Sequence, residues 1–248
     1  VAEQWRMLHA LFPHRIDLGL GRAPGSDQTT AAALAKGPGA LSAEHYPAQI
    51  DELAAFLRDE PNPTGPFRDV RATPITEGAP PLWLLASSAG SAGIAAHLGL
   101  PLVWAHFIAR GPGQETVDAY RANYQPSPEY PHPIVMLATG AICAETQQEA
   151  AYVASSVQRW RASGPTRPIP EPAPPGTPLP GSDNPLFVNQ RVNKPLLHGT
   201  PTYVKDELES LADSFGADEV LLITITHNHA ARVRSYELLA DVFDLANS

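Results

Sequence analysis

Cysteine and positive charge are scarce in this chain of 248 residues. Cys143 is the single cysteine, so the chain cannot form an internal disulfide and lacks a second thiolate for a zinc site. The 17 lysine and arginine residues are outnumbered by 26 aspartate and glutamate residues, which gives a net charge of −9. These shortages predict a cytoplasmic protein that does not bind nucleic acid.

Long apolar runs are also absent. The most apolar stretch, residues 82–109, is interrupted by serine, glycine and histidine, whereas a membrane-spanning helix needs roughly twenty continuous apolar residues. The first residues lack an initiator methionine and the layout of a secretory signal, and they start inside a helical apolar stripe that includes Val1, Trp5 and Leu8. We therefore expect no membrane association, and a sequence that is a fragment of a longer protein.

Proline, in contrast, is abundant, with 27 residues. Many of them fall in residues 164–181, a segment with few apolar side chains. Because proline lacks the N–H donor and fixes φ, this segment cannot form a helix or an interior strand. It is predicted to be a loop or a disordered insertion, and a polyproline ligand for a partner is the alternative.

The rest of the chain alternates short apolar runs with amphipathic stretches. The runs of strand length are Ile16–Leu20, Leu82–Ala86, Leu102–Ala105, Ile134–Ala138 and Val220–Ile225. Continuous apolar character predicts strands that are buried on both faces, as in parallel sheets. The clearest helix starts at Thr200-Pro201 and ends before Gly216. The alternation predicts an α/β fold, either a doubly wound sheet or a (β/α) barrel.

In both folds ligands bind where strands end and helices begin, so the loops after the apolar runs are the first places to search. Ser87, Ser88, Gly90 and Ser91 lie in such a loop, directly after one predicted strand. Serine hydroxyls and the free N–H groups of a helix start favour an anion such as phosphate. A tight capped turn with no ligand is the alternative.

A second candidate for phosphate binding is Arg22, which follows the first predicted strand. Its guanidinium offers a planar set of donors that suits phosphate oxygens. Gly19 and Gly21 resemble part of a dinucleotide fingerprint, but the third glycine is one place late and Pro24 intervenes. A solvated loop arginine is the alternative.

Ser91 also raises the possibility of a serine hydrolase. Residues 89–93 are one substitution from the G-x-S-x-G motif of the nucleophile elbow. That serine should sit on a sharp turn immediately after its strand, whereas Ser91 lies five residues past Ala86. The hydrolase is kept as a further alternative.

Histidines follow two of the predicted strands. His106 comes after Leu102–Ala105, and His227 comes after Val220–Ile225. Either can line a pocket or carry a proton, so both are candidates for a catalytic role. A metal site is not expected, because His227 and His229 have no third ligand nearby. Cys143 lies within an apolar run without a flanking base and is predicted to be an inert buried thiol.

Several stretches combine into one recognisable pattern. They are Phe12–Gly25, the Ser87–Gly93 loop with residues 95–101, Gly199-Thr200-Pro201, and residues 224–232 with 235–240. Together they resemble the bacterial luciferase-like flavin monooxygenases over nearly all of the chain. The proline-rich segment is the main departure from that family.

The resemblance implies a fold. The family has a TIM (β/α)8 barrel, so residues 1–248 are expected to form one luciferase-like barrel domain. Only strands four to eight of that barrel are matched, and the expected barrel is therefore incomplete at its front.

The resemblance also implies a function, that of a flavin-dependent oxidoreductase. The expected activity is an FMNH2-dependent monooxygenase that uses O2, a small organic substrate and electrons from a separate flavin reductase. The residues implied to bind FMN are Arg22, Ser87, Ser88, Gly90 and Ser91. The deazaflavin F420 is the alternative cofactor, and a homodimer is the expected assembly. A non-catalytic truncated barrel or subunit is the alternative function.

Overall fold

The computed structural model describes residues 1–22, 44–60, 65–109, 113–163, 168–174, 176–179 and 196–245. The chain divides into two compact units, one of Val1–Trp104 with Glu115–Val135 and one of Ala105–Gln114 with Met136–Ser248. Strands and helices alternate in both. None of the helices in the described ranges is long and apolar enough to cross a membrane.

The elements of the described residues follow the predicted alternation. In chain order they are α1 (Ala2–Leu11), β1 (Leu18–Leu20), α2 (Tyr46–Arg58), β2 (Leu82–Ala86), α3 (Ala89–Leu98), β3 (Leu102–Ala105), α4 (Gly113–Ala122), β4 (Val135–Cys143), α5 (Gln147–Ser163), β5 (Leu197–Gly199), α6 (Pro201–Phe215), β6 (Glu219–Ile223) and α7 (His229–Val242). The predicted α/β fold class is therefore confirmed.

In the first unit, β1, β2 and β3 form parallel pairs. Leu18 pairs with Leu82, and Leu84 pairs with Leu102. All four of these leucines are buried, which is why their apolar runs become strands rather than surface segments. Helix α3 packs against β2 and also contacts α2. The carboxyl end of β2 leads into α3 after two residues.

A buried arginine fixes the end of α2. Arg6 of α1 is 1% exposed. Its Nε donates to the Pro74 carbonyl at 2.6 Å, and its Nη1 donates to the carbonyls of Phe56 at 3.2 Å and Leu57 at 2.7 Å. The last carbonyls of a helix lack partners within the helix and carry partial negative charge, so a buried guanidinium stabilises them.

In the second unit the central strand is β4, in which every residue is buried. It pairs in parallel with β6 over Met136–Gly140 and with β5 over Ala141–Cys143. β4 extends past the predicted end at Ala138, and its one strongly polar side chain, that of Thr139, has a hydrogen-bond partner. β5 was not predicted, because three residues carry no readable periodicity.

Helix α6 has the predicted boundaries. It begins at Pro201 after Thr200, and its cap residue Gly216 takes a left-handed φ of 54°, which costs glycine little. At the start of α5 the Glu149 N–H donates to the Thr146 hydroxyl at 3.1 Å, which is one of the two hydrogen bonds of a capping box. Gly and Pro at positions 164 and 165 favour an end of α5 there, and these two residues lie outside the described residues.

Part of the proline-rich segment 164–181 is described. Residues 168–174 and 176–179 contain no helix or strand. Ala173 is 9% exposed, and its N–H donates to the Ser155 hydroxyl of α5 at 2.8 Å. The remaining residues of the segment lie outside the described ranges, so its assignment as an insertion stays a prediction.

The organisation of residues 1–248 as one barrel domain also stays a prediction.

Candidate functional site

Two of the predicted phosphate ligands follow neighbouring parallel strands. Leu20 at the end of β1 pairs with Leu84 of β2, and Arg22 lies two residues beyond Leu20. Ser87 comes directly after β2, which ends at Ala86. Because β1 and β2 run in the same direction, Arg22 and Ser87 lie at the same edge of the sheet.

The start of α3 leaves several N–H groups without a helical partner. The first backbone hydrogen bond of the helix runs from the Ala92 N–H to the Ser88 carbonyl at 3.1 Å, so the N–H groups of residues 89–91 precede it. Ser88 is the cap residue, with extended backbone, but its side chain does not accept a hydrogen bond from the helix. Its hydroxyl contacts the Ser91 hydroxyl at 3.5 Å. The first turn therefore keeps donors that an anion can use.

Gly90 gives this turn an open surface. It is exposed, and a Cβ added there would meet no described atom within 4 Å. The open space at Gly90 lets an anion approach the backbone of this turn. Ser88 is also exposed, whereas Ser87 and Ser91 are partly buried.

Tyr46 is a neighbour of Arg22 that the sequence reading missed. It is the first residue of α2, and its hydroxyl oxygen is buried without a hydrogen-bond partner among the described residues. Burial raises the pKa of Tyr46, and the nearby charge of Arg22 lowers it by a smaller amount. The one sequence signal is the position of Tyr46 immediately before Pro47, because proline favours the first turn of a helix.

In the second unit, His106 is held by a hydrogen bond. Its Nδ1 lies 3.0 Å from the Thr139 hydroxyl. Its ring stands edge-on to Phe215, with the centroids 5.7 Å apart. Burial lowers the pKa of His106, which favours the neutral imidazole. A neutral imidazole has one donor and one acceptor, so the nitrogen that does not bond to Thr139 is left for another group.

His227 has different surroundings. It is exposed and lies four residues past the end of β6. Helix α7 begins at His229, and its cap residue Asn228 accepts the Ala231 N–H at 3.2 Å. Among the described residues, no three histidine, cysteine or acidic side chains are grouped as metal ligands.

Ser91 does not occupy a nucleophile elbow. β2 ends at Ala86 and α3 begins at Ala89, so Ser91 lies inside the first turn of the helix. An elbow serine requires a sharp turn directly after the strand. The hydroxyl of Ser91 contacts that of Ser88, a residue that cannot serve as a general base for a nucleophile. The geometry therefore does not favour the hydrolase alternative.

Cys143 is buried, as predicted. It is 3% exposed at the end of β4, and burial raises the pKa of its thiol to about 11. Its N–H donates to the Ser235 hydroxyl of α7 at 2.8 Å. Cys143 is therefore a protonated thiol at neutral pH, and the thiol is much less reactive than the thiolate. Its role is in packing rather than in chemistry.

Comparisons with known proteins agree with this α/β arrangement. The family model for luciferase-like monooxygenases matches residues 1–219. An Escherichia coli K12 protein named luciferase-like monooxygenase is 34% identical over 246 residues, covering 98% of this chain and 71% of that protein. The N-acetyl-S-alkylcysteine monooxygenase of Bacillus subtilis is 30% identical over 247 residues, covering 97% of this chain and 72% of that protein.

A solved structure has the same fold. The crystal structure of apo-MsnO8 is 34% identical in sequence and superposes with a TM-score of 0.76. The match covers 98% of this chain and 72% of that chain. The parallel α/β architecture is therefore the one expected from the resemblance, while the assignment of the strands as four to eight of a barrel stays a prediction.

Proposed function

Because the chain belongs to the luciferase-like monooxygenase family, we propose that it is a flavin-dependent monooxygenase that takes reduced FMN, O2 and a small organic substrate. The observation that carries the FMN assignment is the shared sheet edge of Arg22 and the start of α3. That edge combines a guanidinium with free helix N–H groups, two donor types that suit a phosphate.

We assign the phosphate of FMN to this edge. Arg22 supplies a full positive charge, and the hydroxyls of Ser87, Ser88 and Ser91 supply neutral donors. Gly90 keeps the surface of the first turn open, so that the phosphate can approach the backbone N–H groups.

Reduced FMN would supply the electrons that activate O2, and a separate flavin reductase would renew it. The role of this chain in the reaction is then to bind the cofactor, to orient it and to exclude water from it. His106 is the candidate for a proton-carrying or ring-lining side chain in the second unit, because its neutral imidazole has a second nitrogen besides the one that contacts Thr139. His227 is the exposed candidate for the same role. A homodimer is the proposed assembly.

F420 is the other cofactor that fits a phosphate site, because its side chain also contains a phosphate. The two differ in chemistry, since FMN ends in a phosphate monoester whereas the phosphate of F420 is an internal diester. Binding of both cofactors to the same purified protein distinguishes them. Tighter binding of FMN supports the proposal. Tighter binding of F420 would make F420 the cofactor, with its phosphate at the same site.

The test is a titration of FMN into the protein and two variants. We expect Arg22→Ala and Ser88→Ala each to lose about 1.5–3 kcal/mol of FMN binding free energy, the value of a hydrogen bond to a charged group. Reductase-coupled oxygen uptake should fall in parallel at limiting FMN. Unchanged FMN affinity in both variants would remove the assignment of this site. Failure of the unaltered protein to bind either cofactor would favour the non-catalytic alternative.

A further inference from the structure

We propose that Thr139 is a positioning residue that holds His106 in the tautomer protonated at Nε2, so that His106 acts as a hydrogen-bond donor and not as a general base. The inference rests on the proposed function, in which His106 is the candidate for a proton-carrying or ring-lining side chain. Three features of the second unit carry it: the attachment of residue 107 to β4, the partner of the Thr139 hydroxyl, and the packing of the imidazole against Phe215.

The segment after β3 is attached to β4 next to Thr139. The Phe107 N–H donates to the Ala138 carbonyl at 3.2 Å. His106 immediately precedes Phe107, and Thr139 immediately follows Ala138 in β4. The main chain therefore brings the two side chains together, and their contact does not depend on the choice of a side-chain rotamer alone.

The hydroxyl of Thr139 has one partner among the described residues. Thr139 is 2% exposed, and its hydroxyl oxygen lies 3.0 Å from Nδ1 of His106. If Nδ1 carried a proton and donated it, the proton of the hydroxyl would need a second acceptor, and no described group supplies one. A buried hydroxyl proton without an acceptor is unfavourable. We infer that Thr139 donates and that Nδ1 accepts.

Two other buried threonines of the second unit show the usual alternative. The Thr224 hydroxyl donates to the Ala141 carbonyl at 2.8 Å, and the Thr226 hydroxyl donates to the Asn228 carbonyl at 2.7 Å. Thr139 has no bond of this kind to a described carbonyl, so the imidazole takes the place of the carbonyl as its acceptor.

The direction of this hydrogen bond fixes the tautomer. A neutral imidazole carries its proton on the nitrogen that does not accept, which here is Nε2 of His106. Burial lowers the pKa of His106 and thus favours the neutral ring. A general base needs an unprotonated nitrogen, which Nε2 then cannot supply. The ligand group that suits Nε2–H is an oxygen acceptor, such as a carbonyl or an anionic oxygen.

Phe215 of α6 restricts the imidazole from another side. Its ring is 5.7 Å from that of His106 between centroids, at an interplanar angle of 71°, and Phe215 is 8% exposed. Rotation of the imidazole by half a turn would leave its plane against Phe215 unchanged but would replace Nδ1 by a carbon beside Thr139. Thr139 is therefore the group that selects the orientation of the ring.

The first experiment reads the tautomer by long-range 1H–15N correlation NMR of the ligand-free protein, at a pH above 6.5, the ordinary pKa of histidine. The signals of His106 are identified by their loss in His106→Gln. We expect Nε2 to have the shift of a protonated nitrogen and Nδ1 that of an unprotonated one. Thr139→Val should move the two shifts toward each other, because the tautomers then mix. Thr139→Ser keeps the hydroxyl and should preserve the original pattern.

Thr224→Val is the matched control for Thr139→Val. Thr224 is 4% exposed and lies in the same unit, and the substitution likewise removes one buried hydroxyl and its hydrogen bond. We expect both valine variants to lower the melting temperature, whereas only Thr139→Val should change the tautomer of His106. A tautomer change in both variants would show a general loosening of the unit and would overturn the role of Thr139.

The second experiment separates a donor from a general base. His106→Gln keeps an N–H donor in its side-chain amide, and His106→Ala removes it, whereas a general base is lost in both. We expect reductase-coupled oxygen uptake to be lower in His106→Ala than in His106→Gln by roughly two- to tenfold, the range for one neutral hydrogen bond.

The other outcomes overturn the inference in distinguishable ways. A proton on Nδ1 in the unaltered protein, or an unchanged tautomer in Thr139→Val, would contradict the role of Thr139 and leave the proposed function standing. Equal oxygen uptake in His106→Gln and His106→Ala would contradict the donor role. If the unaltered protein binds neither flavin nor deazaflavin, the proposed function fails, and the NMR spectra still decide whether Thr139 fixes the tautomer.

Discussion

The Nδ1 atom of His106 and the hydroxyl of Thr139 are 3.0 Å apart in the second unit. Thr139 is 2% exposed and lies within the buried strand β4. The hydrogen bond gives the buried Thr139 hydroxyl a partner and fixes Nδ1 of His106. Burial lowers the pKa of this imidazole.

This burial predicts a dependence of stability on pH. The unfolded chain takes up the His106 proton at the ordinary pKa of 6.5, whereas the folded chain binds it only at lower pH. The contribution of His106 to stability is therefore complete above that value and is lost as the pH falls toward the pKa of the folded state. We expect His106→Gln to reduce the fall in unfolding free energy between about pH 7 and pH 5, measured by urea titration. An identical fall in both proteins would contradict this account.

A negative charge at Gly90 should separate ligand binding from helix stability. In Gly90→Asp the carboxylate would stand in the first turn of α3, where the helix dipole favours it by about 0.5 kcal/mol. The same charge would repel a phosphate at that turn and weaken FMN binding by at least about tenfold. The measurements are the melting temperature and the FMN dissociation constant.

Gly93→Asp provides the control for Gly90→Asp. Gly93 is also exposed with open space around it, but it lies beyond the first turn of α3. We expect Gly93→Asp to have a much smaller effect on FMN binding. Equal effects of the two aspartates would indicate a general charge effect instead of a phosphate at the helix start.

Removal of Arg6 should destabilise the first unit. Arg6→Met keeps much of the buried volume but leaves the carbonyls of Phe56, Leu57 and Pro74 without their donor. We expect a loss of about 3 kcal/mol in unfolding free energy. Arg68→Met is the control, because Arg68 is a 58% exposed residue and should change stability by less than about 0.5 kcal/mol. Equal effects would show that Arg6 does not stabilise the end of α2.

Cys143 should resist alkylation in the folded protein. With a pKa of about 11, roughly one thiol in a thousand is ionised at pH 8. Iodoacetamide should therefore label the native chain very slowly and the urea-unfolded chain quickly, as measured by mass spectrometry. Rapid labelling of the native chain would mean that this end of β4 opens to solvent.

The sequence predicted those elements whose residues carry a continuous or periodic signal. Leu82–Ala86 and Leu102–Ala105 become strands with the predicted bounds, because each is a short apolar run between clear breaks. Pro201 and Gly216 likewise mark the ends of α6. In contrast, Leu197–Gly199 is too short to be recognised without its partner strand β4.

The candidate site was predictable only in part. Arg22 and the serines after β2 could be found, since ligand donors that follow parallel strands meet at one edge. The proximity of Tyr46 to Arg22 and the contact of Thr139 with His106 could not, because each joins residues that are distant in the chain. A tyrosine at a helix start or a threonine in a strand has no sequence pattern that identifies its partner.

The most direct measurement of the central claim is the ratio of FMN to riboflavin affinity in the unaltered protein and in the Arg22→Ala, Ser88→Ala double variant. Both ligands carry the same ring, so the ratio isolates the phosphate. The account predicts that FMN binds at least about tenfold more tightly to the unaltered protein and that the double variant loses this preference. Equal affinity for the two ligands in the unaltered protein, or a preference that survives the double substitution, would contradict it.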